Sequence, residues 1–199
     1  MRSVFISSIV LCAAAAPTGA QQRPDLFRCE GCDAIHEHSH ENLTPSTVIP
    51  PRGEPGTTLI LSGTVYQSDG RTPATGVVVY GYHTNAEGVY PTRGNEAGWA
   101  RRHGYLRGWV KTGADGVYRF ETIRPAPYPG RRDPAHIHLI VKEPERREYW
   151  IDEVVFDDDP LVDAAYRARV RHRGGNGVVH PTRRADGVWL VRRDITLEP

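Results

Sequence analysis

Net charge is almost absent from this chain, with 25 Lys and Arg facing 24 Asp and Glu over 199 residues. A balanced chain lacks the basic field that recruits nucleic acid or an anionic membrane, so neither is an expected partner. Cysteine is scarce, three in all, which excludes a disulfide-stapled miniature scaffold. A chain of this length buries enough surface to form a core without such staples. After residue 16 no apolar run is long enough to span a membrane.

What is present begins with "MRSVFISSIVLCAAAAPTGA". Arg2, an apolar run from Val4 to Ala16 and small residues up to Ala20 read as a cleaved secretory signal over 1–20, predicting a periplasmic or secreted protein. Losing Arg2 would leave 24 basic against 24 acidic residues. Lipid attachment at Cys12 is disfavoured, because Leu11 precedes it where a small residue is wanted. Residues 21–55 read as an N-terminal extension holding "CEGC" and the His-rich "HEHSH". In an oxidising compartment Cys29 and Cys32 are expected to pair, closing a tight loop. Haem attachment would need His after the second Cys, and Asp33 stands there. A metal site borrowing His36, His38 and His40 is the alternative.

From residue 56 onward, to 199, the pattern is that of one β domain with a C-terminal extension. Twenty Gly and 16 Pro mark a turn-rich chain. "TLILSGTVYQ", "VVVYGYHTN", "GVYRFETI", "AHIHLIVK" and "GVWLVRRDITL" alternate apolar and polar residues or are β-branched, as strands are. "AEGVY", "ADGVY" and "ADGVW" share one turn chemistry and predict hairpins, at spacings too unequal for a repeat architecture. "DPLVDAAYRARVRHRGG" is the single predicted helix. Strands without intervening helices predict an all-β, antiparallel β-sandwich.

"DPAHIHLIV" carries the chemistry. Residues two apart on a strand emerge on one face, so His136 and His138 present both imidazoles together, a chelating arrangement, while Ile137 points the other way. Such pairs also arise by plain alternation on a solvent face. "NAEGVY", then "YLRGWVKTGADGVYRFETIRPAPYP", then "PAHIHLIV" together resemble the intradiol ring-cleavage dioxygenases over roughly residues 57–160. "CEGC" and the tail lie outside that likeness. The resemblance implies a non-haem Fe(III) cofactor held by Tyr90, Tyr128, His136 and His138, with Tyr128 and His138 axial. It also implies an enzyme that inserts O2 between the hydroxyl-bearing carbons of a small aromatic diol to give a muconate-type diacid. Phenolate oxygen and imidazole suit a hard ferric ion, which supports the same ligand set from its chemistry. Tyr118 occupies the turn position of Tyr90 but lies inside the alternating "VYRF", and is assigned to packing.

Two positions depart from the family pattern. Asp133 stands where the family has Arg beside the metal strand, after Arg131 and Arg132, and Glu153 stands where it has Gln near the substrate. Together with Tyr128 these are the candidate catalytic residues. Two acidic side chains are expected to disfavour ring carboxylates, unless Arg124 or Arg132 restores positive charge. Two other function classes stay open. "SGTVYQSDGRTPATGVVVYGY" also resembles transthyretin-like binding modules, and two His could serve an exported Zn(II) hydrolase. Self-association to a homo-oligomer is left open as well.

Overall fold

Alternating burial builds the long strands. In the computed structural model, which describes residues 24–199, β1 (Ser46–Val48) is followed by β2 (Thr58–Tyr66) and β3 (Val78–His83). The segment read as a secretory signal lies outside the described residues. A one-turn helix α1 (Ala100–His103) precedes β4 (Arg107–Lys111), β5 (Val117–Ile123), β6 (His136–Lys142) and β7 (Tyr149–Phe156). Helix α2 (Ala164–Arg169) leads to β8 (Val178–Val179), β9 (Thr182–Arg183), β10 (Trp189–Arg192) and β11 (Ile195–Thr196).

The strands form two sheets, one ordered β1-β5-β2-β10-β9 with β11 also on β2, the other β4-β3-β6-β7-β8. Leu59, Leu61 and Phe120 of the first face Val79, Leu139 and Ile151 of the second in one dry core. The central pairs β2·β5, β3·β4, β3·β6 and β6·β7 are antiparallel as expected. Other pairs are not: β1 on β5, β10 and β11 on β2, and β8 on β7 run parallel, so both sheets are mixed. These parallel-paired strands are two to four residues long and carry too little alternation to announce a direction.

Other expectations also change. "GVWLVRRDITL" is two strands, because Arg193 turns its side chain inward to Asp152 O while Asp194 accepts from the Thr64 amide at 2.8 Å. Gly63 permits this break, since a Cβ there would stand 1.7 Å from the Arg193 oxygen. Of the three like turns only "ADGVW" closes a hairpin, between β9 and β10. "ADGVY" carries the chain from β4 in one sheet to β5 in the other, and "AEGVY" follows β3 without a returning strand. The predicted helix shortens to α2, capped by the Asp163 side chain on the Tyr166 amide, and α1 adds a second helix that no sequence signal marked. Among the described residues no helix is long and apolar enough to cross a membrane.

The second sheet is covered on both faces. Its outer face packs Val78, Tyr80 and Ile140 against Cys32, Ala34 and Ile35, held by the expected Cys29–Cys32 disulfide. Tyr82, His136 and His138 continue that outer face. His36 instead bonds Glu148, His38 the Ser39 carbonyl and His40 the Ile35 carbonyl; these are separate partners, and the three rings form no common site.

Candidate metal centre

Two loops and one strand converge here. The turn after β3 is built by Asn85, whose side-chain oxygen accepts from the Glu87 and Val89 amides at 3.0 and 3.1 Å. The same turn is stitched to the 124–130 loop, because Ala126 N donates to Asn85 O and Thr84 Oγ1 to Ala126 O. Gly88 completes the seam with φ 78°; a Cβ there would lie 2.0 Å from the Pro127 oxygen. Backbone bonding thus brings Tyr90 and Tyr128 together from positions 38 residues apart. The start of β6 is pinned by Asp159, which accepts from the Ala135 amide at 2.8 Å.

Four donor atoms meet. The two phenol oxygens are 2.5 Å apart, His138 Nε2 lies 3.0 Å from Tyr90 Oη and 3.3 Å from Tyr128 Oη, and His136 Nε2 lies 3.1 Å from both Tyr128 Oη and His138 Nε2. Donors about 2 Å from a first-row metal ion stand roughly 3 Å from one another, so these separations match one coordination sphere. His136 Nδ1 donates to the Pro134 carbonyl at 2.7 Å, which leaves its Nε2 as a lone pair. That lone pair stands 3.1 Å from a second imidazole nitrogen and from a phenol oxygen, a spacing that suits ligands of one cation. Burial, foremost, pushes the Tyr90 and Tyr128 phenols above their ordinary range and holds His138 well below its own. Without an ion the phenols therefore keep their protons and His138 stays neutral at pH 7. The donor set fits a ferric ion.

Among the described residues no group of three His, Cys, Asp or Glu side chains is placed to hold a metal. Half of the donors here are phenols, which suits a hydrolytic zinc centre poorly. A transthyretin-like module has no need of such a convergence.

A cleft of about 540 Å³ opens beside the two histidines. Between Ile137 and Leu139 the β6–β7 register shifts, so Asp152 and Glu153 together oppose His138, a bulge that re-aims Glu153 to the outer face. Its Oε1 stands 3.9 Å from His138 Nδ1, beyond hydrogen-bond reach but close in charge. Asp133 lines the mouth of the cleft and pairs with Arg131 at 3.1 Å. Arg124 is held by Asp158 and lies over Phe156 and Trp189, and Arg132 is exposed; neither lines the cleft.

Sequence reasoning missed Tyr82 and His103. Tyr82 stacks on His138 with centroids 4.6 Å apart, and His103 on the far face of Tyr82 at 3.8 Å. The alternation of "VYGYH" could have shown Tyr82, which pairs His138 directly in the sheet. His103 sits in α1, and only the tertiary fold places it there.

A β-sandwich that gathers two tyrosines and two histidines beside an open cleft is the arrangement expected of a metal-dependent dioxygenase fold, and comparison with known proteins makes it specific. The family model described as Dioxygenase (Dioxygenase_C) matches residues 30–187. Catechol 1,2-dioxygenase 1 of Acinetobacter lwoffii is 36% identical over 129 residues, 56% of this chain and 40% of that protein. The chain therefore spans under half the length of that curated relative. Among solved structures, the dioxygenase domain of a dioxygenase carbohydrate-binding protein fusion from Streptomyces sp. SirexAA-E aligns over 92% of this chain and 99% of its own, at 25% identity and a TM-score of 0.57. Catechol 1,2-dioxygenase from Acinetobacter sp. ADP1 aligns over 77% and 57%, at 22% identity and a TM-score of 0.58, and shares the fold. The chain belongs to the intradiol ring-cleavage dioxygenase family.

Proposed function

We propose that the protein is an exported Fe(III) enzyme that cleaves a catechol between its two hydroxyl-bearing carbons, using O2 and giving a muconate-type diacid. The convergence of Tyr90, Tyr128, His136 and His138 carries this reading. Bound ferric ion would draw electron density from a chelated catecholate and so open the ring to O2. The side chains of this chain would supply the rest. His136 is oriented by the Pro134 carbonyl, and His138 is clamped by Tyr82 on its face and Glu153 beyond its Nδ1. Tyr128 is carried on a loop beside the cleft, between exposed Pro127 and Pro129, and would be the phenol nearest an entering substrate. Burial holds the Tyr128 phenol above its ordinary range, and as a phenolate it would be suited to take a proton from a substrate hydroxyl. Glu153 and Asp133, the latter offset by Arg131, set the charge beside the ring. Export is supported by the apolar, small-residue character of 1–20 and by the Cys29–Cys32 bridge.

Metal analysis and a visible spectrum of aerobically purified protein, before and after adding catechol, with O2 uptake and product analysis, test this. One iron per chain and visible absorption from tyrosinate on ferric ion are expected. His136→Ala or His138→Ala should remove most iron and colour, and Tyr128→Phe should alter the spectrum. Tyr118→Phe should leave both intact, because that hydroxyl donates to Arg193 O in the core. Iron that survives loss of both histidines would overturn the assignment. N-terminal sequencing of the mature protein tests the export reading.

A further inference from the structure

The disulfide loop reaches the donor cluster through a column of rings. Gly31, inside the Cys29–Cys32 loop, is buried, with a left-handed φ of 82° that glycine adopts without strain. Its backbone sits directly on α1 and the residue before it: a Cβ there would stand 2.9 Å from His103 Nε2 and 3.2 Å from the Trp99 ring. His103 is held at its other nitrogen, Nδ1, by Tyr80 Oη at 2.9 Å. From His103 the rings stack onward, to Tyr82 at 3.8 Å and from Tyr82 to His138 at 4.6 Å. The loop is therefore the outermost layer behind a candidate metal ligand.

On the Glu30 side, little besides the disulfide fastens that layer. Glu30 pairs with Arg102, but the two side chains are 74% and 64% exposed, and an exposed pair holds weakly. The other side is firmer. Glu37 accepts from the Trp99 amide at 2.7 Å and pairs with Arg107, while Cys32, Ala34 and Ile35 pack on the sheet. Beside the loop lies a cavity of about 250 Å³, bordered by Cys29, Glu30, Tyr82, His138, Trp150 and Glu153. Tyr82 and His138 thus have space into which to move when the layer behind them slackens. Cys29 is only half-buried and lines the same cavity, which opens its sulfur to a small thiol.

We infer that the Cys29–Cys32 loop is a redox-responsive positioning element: closed, it holds His103 and Tyr82 against His138, and opened by a dithiol reductant it releases the stack and weakens metal binding. This rests on the metal centre proposed above. The exchange balances as a two-electron step. A thiolate of the reductant attacks Cys29 Sγ, and Cys32 leaves as a thiolate. The second thiol of the reductant then closes its own disulfide and frees Cys29, so two electrons and two protons pass to the protein. Gly31 and His103 are positioning residues that act on the metal through Tyr82.

Metal affinity in oxidised and reduced protein tests this, read by chelator competition with Ga(III), a redox-inert ion of the charge and similar size of Fe(III). Protein reduced with dithiothreitol and freed of reagent without air should bind about tenfold more weakly than oxidised protein, the smaller of the effects that supporting residues have. Reoxidation should restore the affinity, and Cys29→Ser/Cys32→Ser should match the reduced protein. In a Tyr82→Ala background, where the column is cut, redox state should make no difference. Equal affinity in both states overturns the positioning role, and so does the same loss in the Tyr82→Ala background, which would place the effect in overall stability. Side-chain NMR of metal-free protein adds an arm that needs no ion. Reduction should move the His103 and His138 ring resonances towards their unstacked positions and leave that of His180, held on the surface by Asp157, in place. A shift shared by His180 signals general unfolding and overturns the proposal. Rings that move in protein binding neither Ga(III) nor Fe(III) sink the metal reading and uphold the redox-responsive stack; metal bound equally in both states, with unmoved rings, does the reverse.

Discussion

Tyr82 lies face to face with His138, their ring centroids 4.6 Å apart and their planes 19° from parallel. The pair is a consequence of register, since Tyr82 and His138 are direct cross-strand neighbours on β3 and β6. With His103 on its other face at 3.8 Å and 9°, Tyr82 forms the middle of a three-ring stack that ends on a candidate ligand. Such a stack restricts the rotation of the imidazole and favours the rotamer that aims Nε2 at the other donors.

Tyr82→Ala should therefore weaken iron binding by about tenfold or more, the scale at which supporting residues act on a metal site. Tyr82→Phe keeps the ring and should bind iron as the wild type does. Competition against a graded chelator reads the difference. Equal affinities in the Ala and Phe variants would refute the positioning role.

Gly88 offers a backbone test. Its left-handed φ of 78° and the 2.0 Å approach to Pro127 O leave no room for a methyl group. Gly88→Ala should cost about 1–3 kcal/mol in strain and push the two tyrosine loops apart. Thermal unfolding should register the first effect. A weaker or shifted visible band in iron-loaded protein should register the second.

Acid should destabilise the fold through His83. This ring is fully buried, donating from Nδ1 to Thr84 O at 2.7 Å and meeting Thr122 Oγ1 at 2.6 Å through Nε2. Burial lowers its pKa to about 4, from 6.5. Because the folded value is depressed, the unfolded chain takes up the proton first as pH falls. The contribution is complete above about 6.5, declines through the interval down to about 4 and is then lost. A shift of that size corresponds to about 3 kcal/mol. Urea unfolding at several pH values should show this slope, and His83→Asn, though less stable at pH 7, should show a shallower one.

Much was legible before any coordinates. Alternation in β2, β3, β5 and β6 declared the sandwich, because a strand buried on one face must repeat every two residues. The edges were not legible, since strands as short as Val178–Val179 carry no period and their parallel partners lie far away in sequence. The four candidate donors could be read from the "NAEGVY", "PAPYP" and "HIH" stretches, but their meeting could not. The same turn chemistry occurs at Tyr90 and at Tyr118, and one phenol meets His138 in the donor cluster while the other is sealed in the core on Arg193 O.

What the amino-acid order determined by itself was local: which face each strand buries, where Gly and Asn permit a turn, and that His136 and His138 emerge together. The tertiary structure decided what those faces meet. Packing of the 29–43 segment on the outer sheet, the bulge that aims Glu153 at His138, and the α2 wall that brings Arg169 and Arg171 to the cleft all depend on long-range contacts. Such contacts leave no local signature, because each is the product of two distant surfaces, each of which has to be folded before they can meet.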